Sequence, residues 1–466
     1  MPLTIYNTLT RDKVKFTPIE PGKIRLYVCG MTVYDYCHIG HARVLVAFDV
    51  ITRFLRSQGW RVEYVRNITD IDDKILKRAN ENGEQYTHLT RRFIDAMHED
   101  EAQLNVLPPD QEPRATAHID NIIAMVADLM DKGFAYQADN GDVYYRVNKF
   151  SAYGKLSGKK PDELLSGARV EVGVAKEDAR DFVLWKSAKP EEVFWDSPWG
   201  KGRPGWHIEC SAMTKACLGN TFDIHGGGPD LPFPHHENEI AQSEAANGCQ
   251  FVNYWMHAGA VRVDGEKMSK SLGNFFTIRE VLKKYHPEVV RYLIVSSHYR
   301  SAINYSEENL IEAKSGLDRF YQTLKKYDAI QAATTEELAA SPWYQRFVDA
   351  MNDDFNTRVA LATMYELVKD INAVAETDTH KAHSLVAELK TMANILGILQ
   401  ADALAFLQSS SNNDALSVQA IEAYIEERRQ AKRDKNYARA DELRRLLTEQ
   451  GIILEDSSKG TSWRRA

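Results

Sequence analysis

The chain has 466 residues, 44% of them hydrophobic and 27% charged, with a formal net charge of -8 at pH 7. That length exceeds the size at which one core keeps growing, so about two to four domains are expected in a composition typical of soluble globular proteins. The acidic balance excludes indiscriminate nucleic-acid binding through the whole surface, and neither a signal peptide nor a membrane span is expected, because the first twenty residues lack an apolar run and the most apolar later stretch, 44–51, is broken by Asp49.

In chain order, an apolar strand is expected at 24–28, ending at Cys29 and Gly30, and after a turn through Tyr34 the segment His38-Ile39-Gly40-His41 opens a helix. Cys29 would then stand at the carboxyl edge of a strand, where open parallel sheets bind ligands, and so is a plausible metal ligand. His38 and His41, three apart, would share the first helical turn beside backbone N–H groups that lack intrahelical partners, a place that attracts phosphate. Residues 44–55 are apolar nearly all round and stop before Gly59, as a buried helix would, and a strand follows at 61–66. Strand, buried helix and strand form a βαβ unit, which implies a parallel sheet and an α/β fold. Asp70, Asp72 and Asp73 invite a metal reading, but acids entering a first helical turn are also what the helix dipole favours, and the capping reading ranks first.

Helices are expected at 89–104 and 119–130, separated by Pro108-Pro109. Residues 136–147 alternate around Asn140-Gly141, a hairpin signal, and strand-like pieces continue to Trp185, so a β-rich insertion splits the first sheet into two sequence halves. The second half returns with a helix from Trp206 to near Gly219, a strand at 222–225, a glycine turn at 226–230 and a helix starting near Pro234, in which His235 and Glu239, four apart, share a face. Glycines after a strand let a ligand approach the backbone, and an acid just beyond them can hold ribose hydroxyls. In Lys267-Met268-Ser269-Lys270-Ser271 two lysines three apart can place ammonium groups on a polyphosphate, the plainer alternative being a solvated basic loop. The chain turns helical from Arg279, with a further helix beginning at 352–357 whose Val359, Leu361 and 364–367 suit a bundle face. A polar break at 409–414 reads as a linker, and 428–445 carries eight Lys or Arg against three acids, either a solvated helix face or an RNA-binding surface on which Trp463 could stack a base.

Cys29, His38-Ile39-Gly40-His41, Gly205-Trp206-His207-Ile208-Glu209-Cys210-Ser211, His235-His236-Glu237-Asn238-Glu239 and the lysine pentapeptide together resemble the cysteinyl-tRNA synthetase family of class I aminoacyl-tRNA synthetases, over essentially the whole chain. The resemblance implies a Rossmann-type parallel-sheet catalytic domain at 1–112 and 206–260, a connective insertion at 113–205, a lysine-loop and stem-contact region at 261–320, a helical bundle at 321–408 and a small anticodon-binding domain at 414–466. It implies an ATP-dependent ligase that makes cysteinyl adenylate and pyrophosphate and then charges the 3′ end of tRNA(Cys). His38, His41, Lys267 and Lys270 would be catalytic; Gly40, Gly227, Asp230, Met268 and Lys270 would contact ATP; Gly30, Thr69 and Trp206 would border the cysteine. One zinc ion per chain would be held by Cys29, Cys210, His235 and Glu239 and would select the thiol over serine, with magnesium accompanying ATP.

Each of those four ligands has a plainer reading, as a small buried hydrophobe or a surface pair, but that does not explain why one fold would gather them at one sheet edge. Cys37, Cys217 and Cys249 are taken as packing residues, and five cysteines form no disulfide framework, which fits a reducing compartment. A cytoplasmic monomer without membrane attachment is expected. Two rivals stay open: a mycothiol-pathway ligase that activates cysteine for an amino sugar and lacks the basic end domain, and a non-catalytic RNA-binding or zinc-stabilised protein on the same fold.

Overall fold

A computed structural model of the chain describes residues 1–159, 175–268, 273–409, 416–457 and 460–465. The chain forms two compact units, one of Met1–Arg262, His298–Ile303 and Asp349–Asn356, the other of Val263–Ser297, Asn304–Val348 and Thr357–Ala466.

The first unit is built on four parallel strands in the spatial order Val252–His257, Phe222–Gly227, Lys23–Thr32, Arg61–Thr69. Strands from the two sequence halves therefore meet side by side, and the crevice at their carboxyl ends is the expected ligand site. The helix Ile39–Ser57 connects the strands Lys23–Thr32 and Arg61–Thr69 and is buried nearly all round. Its Asp49 is tolerated there because its carboxylate accepts from Arg53 Nε at 2.8 Å and from the Leu107 backbone N–H at 2.9 Å. The expected helices appear as Tyr86–Gln103 and Ile119–Asp131. The β-rich insertion is an antiparallel sheet of Ala135–Gln137, Val143–Tyr145, Phe182–Ser187 and Gly202–Pro204. Val143, Tyr145, Leu184 and Trp185 pack on Ile122, Met125 and Leu129 and on Ile208 and Ala212 of the returning helix Trp206–Leu218, which anchors the insertion beside that helix.

Several expectations need correction. The strand expected at 24–28 runs from Lys23 to Thr32, with a register shift between Val28 and Met31, so Cys29 sits at an irregularity inside the strand rather than at its end. The helix expected near Pro234 begins at Glu237, after a tight turn Pro232–His236 that carries His235. Among the acids, the capping reading holds for Asp72, which accepts from Lys74 N at the start of Asp73–Asn82. Asp70 is occupied by Thr116, and Asp73 by Lys186 and Arg203. Cys37 is buried and Cys217 half-buried, but Cys249 is exposed, its sulfur 3.5 Å from the Thr221 hydroxyl, and is not a core packing residue.

In the second unit Pro287–Val295, Glu307–Leu324, Thr357–Val374 and Thr379–Leu396 supply helical layers. The expected helix start at 352–357 falls at Thr357, since Asp354 and Phe355 have positive φ; Leu361, Met364 and Leu367 are buried but Val359 is 49% exposed, off the bundle face. The chain ends in Val418–Arg433, Tyr437–Glu449 and a hairpin of Ile452–Ser457 with Gly460–Arg465. Trp463 does not offer a stacking face: it is 2% exposed, packs with Ile421, Ile425, Leu447 and Leu454, and donates Nε1–H to Glu422 at 2.6 Å. The linker expected at 409–414 lies, apart from Ser409, outside the described residues. No helix among the described residues is long and apolar enough to cross a membrane.

Candidate metal and nucleotide site

Cys29, Cys210, His235 and Glu239 come from four different segments and converge at the carboxyl edge of the sheet, each offering one donor atom, all within 4.8 Å of one another. The Cys29 and Cys210 sulfurs are 3.7 Å apart, Cys29 Sγ is 3.4 Å from Glu239 Oε1, and His235 Nε2 is 3.0 Å from the same oxygen. A tetrahedral ion with Zn–S bonds of about 2.3 Å requires an S···S edge of about 3.8 Å, so the thiol pair already has the separation that zinc would impose. Two thiols, an imidazole and a carboxylate suit zinc better than magnesium or calcium.

Backbone geometry explains why Cys29 projects there. At Gly30 the strand passes so close to its neighbour that an added Cβ would lie 1.6 Å from the Asn67 carbonyl oxygen, while Gly30 N–H donates to Asn67 Oδ1 at 2.8 Å. Glycine is the residue that allows this approach. Gly227 serves a similar purpose, since a Cβ would come within 2.8 Å of both Leu231 and the His236 ring.

The electrostatics are tightly coupled. The hydrogen bond from Cys29 lowers the Cys210 thiol to about 6, with burial opposing, while burial and the Cys210 neighbour push the Cys29 thiol well up. Burial would lower His235, but Glu239 and Cys210 push it up to about 10, and Glu239, which burial would raise, is held well below the usual carboxylate range by His225 and His235.

Sequence reasoning missed a second ring of residues around these donors. His225 Nε2 lies 2.8 Å from Glu239 Oε2, and its ring stacks on Trp255 at 4.6 Å. With Cys29 and Glu239, His225 and His236 form an alternative donor set within 4.8 Å. His236 Nδ1 is 2.8 Å from His257 Nε2, and His257 Nδ1 is 2.8 Å from Thr8 Oγ1. His207 Nδ1 is 2.9 Å from His235 Nδ1, which orients the His235 ring with Nε2 toward Glu239. His225 stands in register with Tyr27 in the central strand, on the face that Tyr27 and Cys29 share, a placement that only the strand register reveals. Burial raises the neighbouring carboxyl of Glu209 well above its ordinary value, and its Oε2 accepts from the Thr69 hydroxyl at 2.9 Å. Trp206, 39% exposed, stacks on His235 at 4.2 Å.

His38 and His41 open the helix Ile39–Ser57 as a reciprocal cap: Gly40 N–H donates to His38 Nδ1 at 3.1 Å and His38 N–H to His41 Nδ1 at 3.2 Å, with the rings stacked at 3.7 Å. Because each Nδ1 accepts, each neutral ring carries its proton on Nε2. Desolvation and the adjacent His38 hold His41 well below its ordinary value, so its ring is a neutral N–H donor at a helix N-terminus, suited to phosphate oxygens. Asp230 is exposed beyond the glycine turn. Lys267 is exposed on the short strand Glu266–Lys267 of the second unit and Met268 is half-buried, whereas Lys270 lies outside the described residues.

Comparison with known proteins matches residues 15–315 to the family of class I (C) tRNA synthetase catalytic domains, 346–400 to the DALR domain and 417–464 to the cysteinyl-tRNA ligase anticodon binding domain. The chain is 62% identical over 466 residues to the cysteine-tRNA ligase of Ectopseudomonas mendocina, covering 100% of both. It is 61% identical over 464 residues to that of Azotobacter vinelandii, covering 100% of this chain and 99% of the other. A solved structure of Mycobacterium tuberculosis methionyl-tRNA synthetase in complex with methionyl-adenylate covers 83% of this chain and 91% of its own at a TM-score of 0.56 and 16% identity, a likeness of fold.

Proposed function

The chain belongs to the cysteine-tRNA ligase family and is an ATP-dependent aminoacyl-tRNA ligase, and we propose that within it Cys29, Cys210, His235 and Glu239 hold one zinc ion that reads the substrate thiol. The observation that carries this is the 3.7 Å sulfur separation, which agrees with a zinc tetrahedron of about 3.8 Å edge. We take this set over the one with His225 and His236 because two thiolates favour zinc more than two imidazoles, and because His225 already orients Glu239 through its other oxygen. When bound, zinc supplies a soft Lewis acid that prefers sulfur to a serine hydroxyl. A pocket alone would separate such isosteres only about a hundredfold.

In the first half-reaction the cysteine carboxylate oxygen attacks the α-phosphorus of ATP, an O–P bond forms, and the bond to the β-phosphate bridge breaks to release pyrophosphate. The nucleophile is ionised at neutral pH, so no general base is needed. The barrier falls through alignment and positive charge or N–H donors at the phosphates, the role proposed for His38, His41, Lys267 and Lys270, with Mg2+ on the ATP. Gly40, Gly227, Asp230 and Met268 would border the nucleotide, and Gly30, Thr69 and Trp206 the cysteine. In the second half-reaction a ribose hydroxyl at the tRNA 3′ end attacks the adenylate carbonyl and AMP leaves.

The basic end is the proposed contact for tRNA(Cys), although much of its charge is internally matched. Arg428 and Lys432 pair with Asp456, Arg429 and Arg433 with Glu426, and Arg439 with Glu427 and Glu442. Lys435, Arg444 and Arg445 are exposed and make no ion pair among the described residues, and Tyr437, 63% exposed, takes the stacking role that Trp463 cannot. An anticodon-type domain at 417–464 also disfavours the mycothiol-type rival, for which no such domain is expected. The testing experiment is cysteine-dependent exchange of pyrophosphate into ATP combined with metal analysis. About one zinc per chain, lost in Cys210→Ala together with cysteine affinity, is expected; a fully active enzyme without zinc would refute the reading.

A further inference from the structure

The β-rich insertion reaches the segment that carries His235 and Glu239 through one short loop. Between the strands Val143–Tyr145 and Phe182–Ser187, residues 153–159 lie along residues 233–244, and the centre of the contact is Glu237, which is fully buried. Gly154 N–H donates to its Oε1 at 2.9 Å, Leu156 N–H to Oε2 at 3.2 Å and Ser157 N–H to Oε2 at 2.8 Å. The loop therefore turns its backbone donors inward, as a nest does around an acceptor. Both carboxyl oxygens are engaged, so what the loop requires of Glu237 is two acceptor atoms at this spacing rather than a charge. The grip extends to either side: Tyr153 hydrogen-bonds Asn238, Lys155 pairs with Glu244 at 2.6 Å, and Lys159 Nζ lies over the Phe233 ring at 4.4 Å.

The loop is shaped for this. Gly158 N–H donates to the Gly154 carbonyl at 2.8 Å, closing the turn, and Gly154 has φ +96, where a Cβ would lie 2.6 Å from the Lys159 carbonyl oxygen. Only glycine fits such a position without strain. Leu156 at the middle of the turn is buried in the cluster that contains Tyr27, Cys29, Cys210 and Trp255. One loop thus touches the arm bearing two of the metal donors and the packing around the other two. Glu237 and Glu239, two apart on a helix, point to different sides, so the arm offers donors on one side and is held from the other.

We propose that residues 153–159 are a strap that sets the metal arm, with Glu237 as its positioning residue, so that recognition of the substrate thiol depends on the insertion as well as on the four donors. The inference rests on the reading that Cys29, Cys210, His235 and Glu239 hold zinc.

The test uses the full-length chain and measures zinc affinity by chelator competition, KM for cysteine and for ATP in pyrophosphate exchange, and thermal melting. Glu237→Gln sets an amide donor against a backbone N–H at one of the two acceptor positions. It should raise the zinc dissociation constant about ten- to hundredfold, the range for residues that orient metal ligands. KM for cysteine should rise with it while that for ATP stays unchanged. Gly154→Ala, which leaves the carboxyl in place, should reproduce the pattern, and the double variant should add little, because both changes release the same strap. Lys155→Ala, at the edge of the contact, should give a smaller shift of the same kind in a protein that melts normally. Unchanged zinc affinity and cysteine KM in these variants, or equal rises in KM for cysteine and ATP, would overturn the proposal in favour of a purely structural loop. A wild-type protein that binds no zinc would instead refute the metal reading, and the split between the two KM values would still decide whether the strap positions the cysteine end.

Discussion

Replacing Gly30 by alanine should dismantle the proposed metal site without touching any of its donors. The new Cβ would lie 1.6 Å from the Asn67 carbonyl oxygen. A tolerable C···O contact is about 3.3 Å, so the two strands must part locally by about 1.7 Å. Cys29 is the adjacent residue and moves with the strand. Metal–ligand distances tolerate errors of about 0.2 Å, so a shift several times larger would break a cluster whose sulfurs stand 3.7 Å apart. The stability cost of such overpacking is about 1–3 kcal/mol, small enough for the protein to remain folded. Expected results are a cooperative melt at somewhat lower temperature, zinc well below one per chain, and a raised KM for cysteine in pyrophosphate exchange. A Gly30→Ala protein with full zinc and unchanged cysteine KM would show that the strand irregularity yields without carrying Cys29 along, and the reasoning would be wrong.

Other outcomes follow from the same geometry. His225→Phe removes the ring nitrogen that holds Glu239 Oε2 at 2.8 Å and should weaken zinc binding about ten- to hundredfold in chelator competition; unchanged affinity would show that His235 alone suffices to orient the carboxylate. Asp456, held well below the usual carboxylate range by Arg428, stabilises the fold above its unfolded value of about 3.9, and this contribution disappears as pH falls. Asp456→Asn should therefore lower the melting temperature at pH 7, with the gap to wild type closing below about pH 4; a pH-independent gap would count against the ion pair. Replacing Lys435, Arg444 and Arg445 together by alanine should reduce the salt slope of tRNA binding by about 2 to 3, whereas Trp463→Phe should affect melting rather than the slope.

The parts of this molecule that obey short-range rules were readable in its residues. The βαβ unit, the Asn140-Gly141 hairpin and the Asp72 cap depend on neighbours a few positions apart, and each appears in the structure. The convergence of Cys29 with Cys210, His235 and Glu239 was accessible only because the motifs carried a family likeness, since no periodicity connects residues so far apart. What remained hidden depended on partners beyond the local pattern. Trp463 sits among basic residues and looks available, yet it fills the core of the last domain. The arginines of 428–445 look like a cationic stripe, yet Glu426, Glu427 and Asp456 neutralise several of them. His225 and His236 lay in segments already read as strand and helix start, and their contribution emerges only when Glu239 is seen between them.

The distribution of the metal cluster along the chain also constrains how the protein can be made. Cys29 precedes Glu239 by 210 residues, so at ribosomal speeds of about 5–20 residues per second the first thiol waits about 10–40 s for the last donor to be synthesised. During that interval the strand Lys23–Thr32 can pair with Arg61–Thr69, but its other edge stays open until Phe222–Gly227 emerges. The nascent chain therefore carries a reactive thiol and an unpaired strand edge together, both exposed to oxidation and to wrong pairing. Completing the second half of the sheet ends both exposures at once, so the proposed zinc would be loaded after the central strand is sealed, as a late, post-assembly requirement rather than a nucleus for folding.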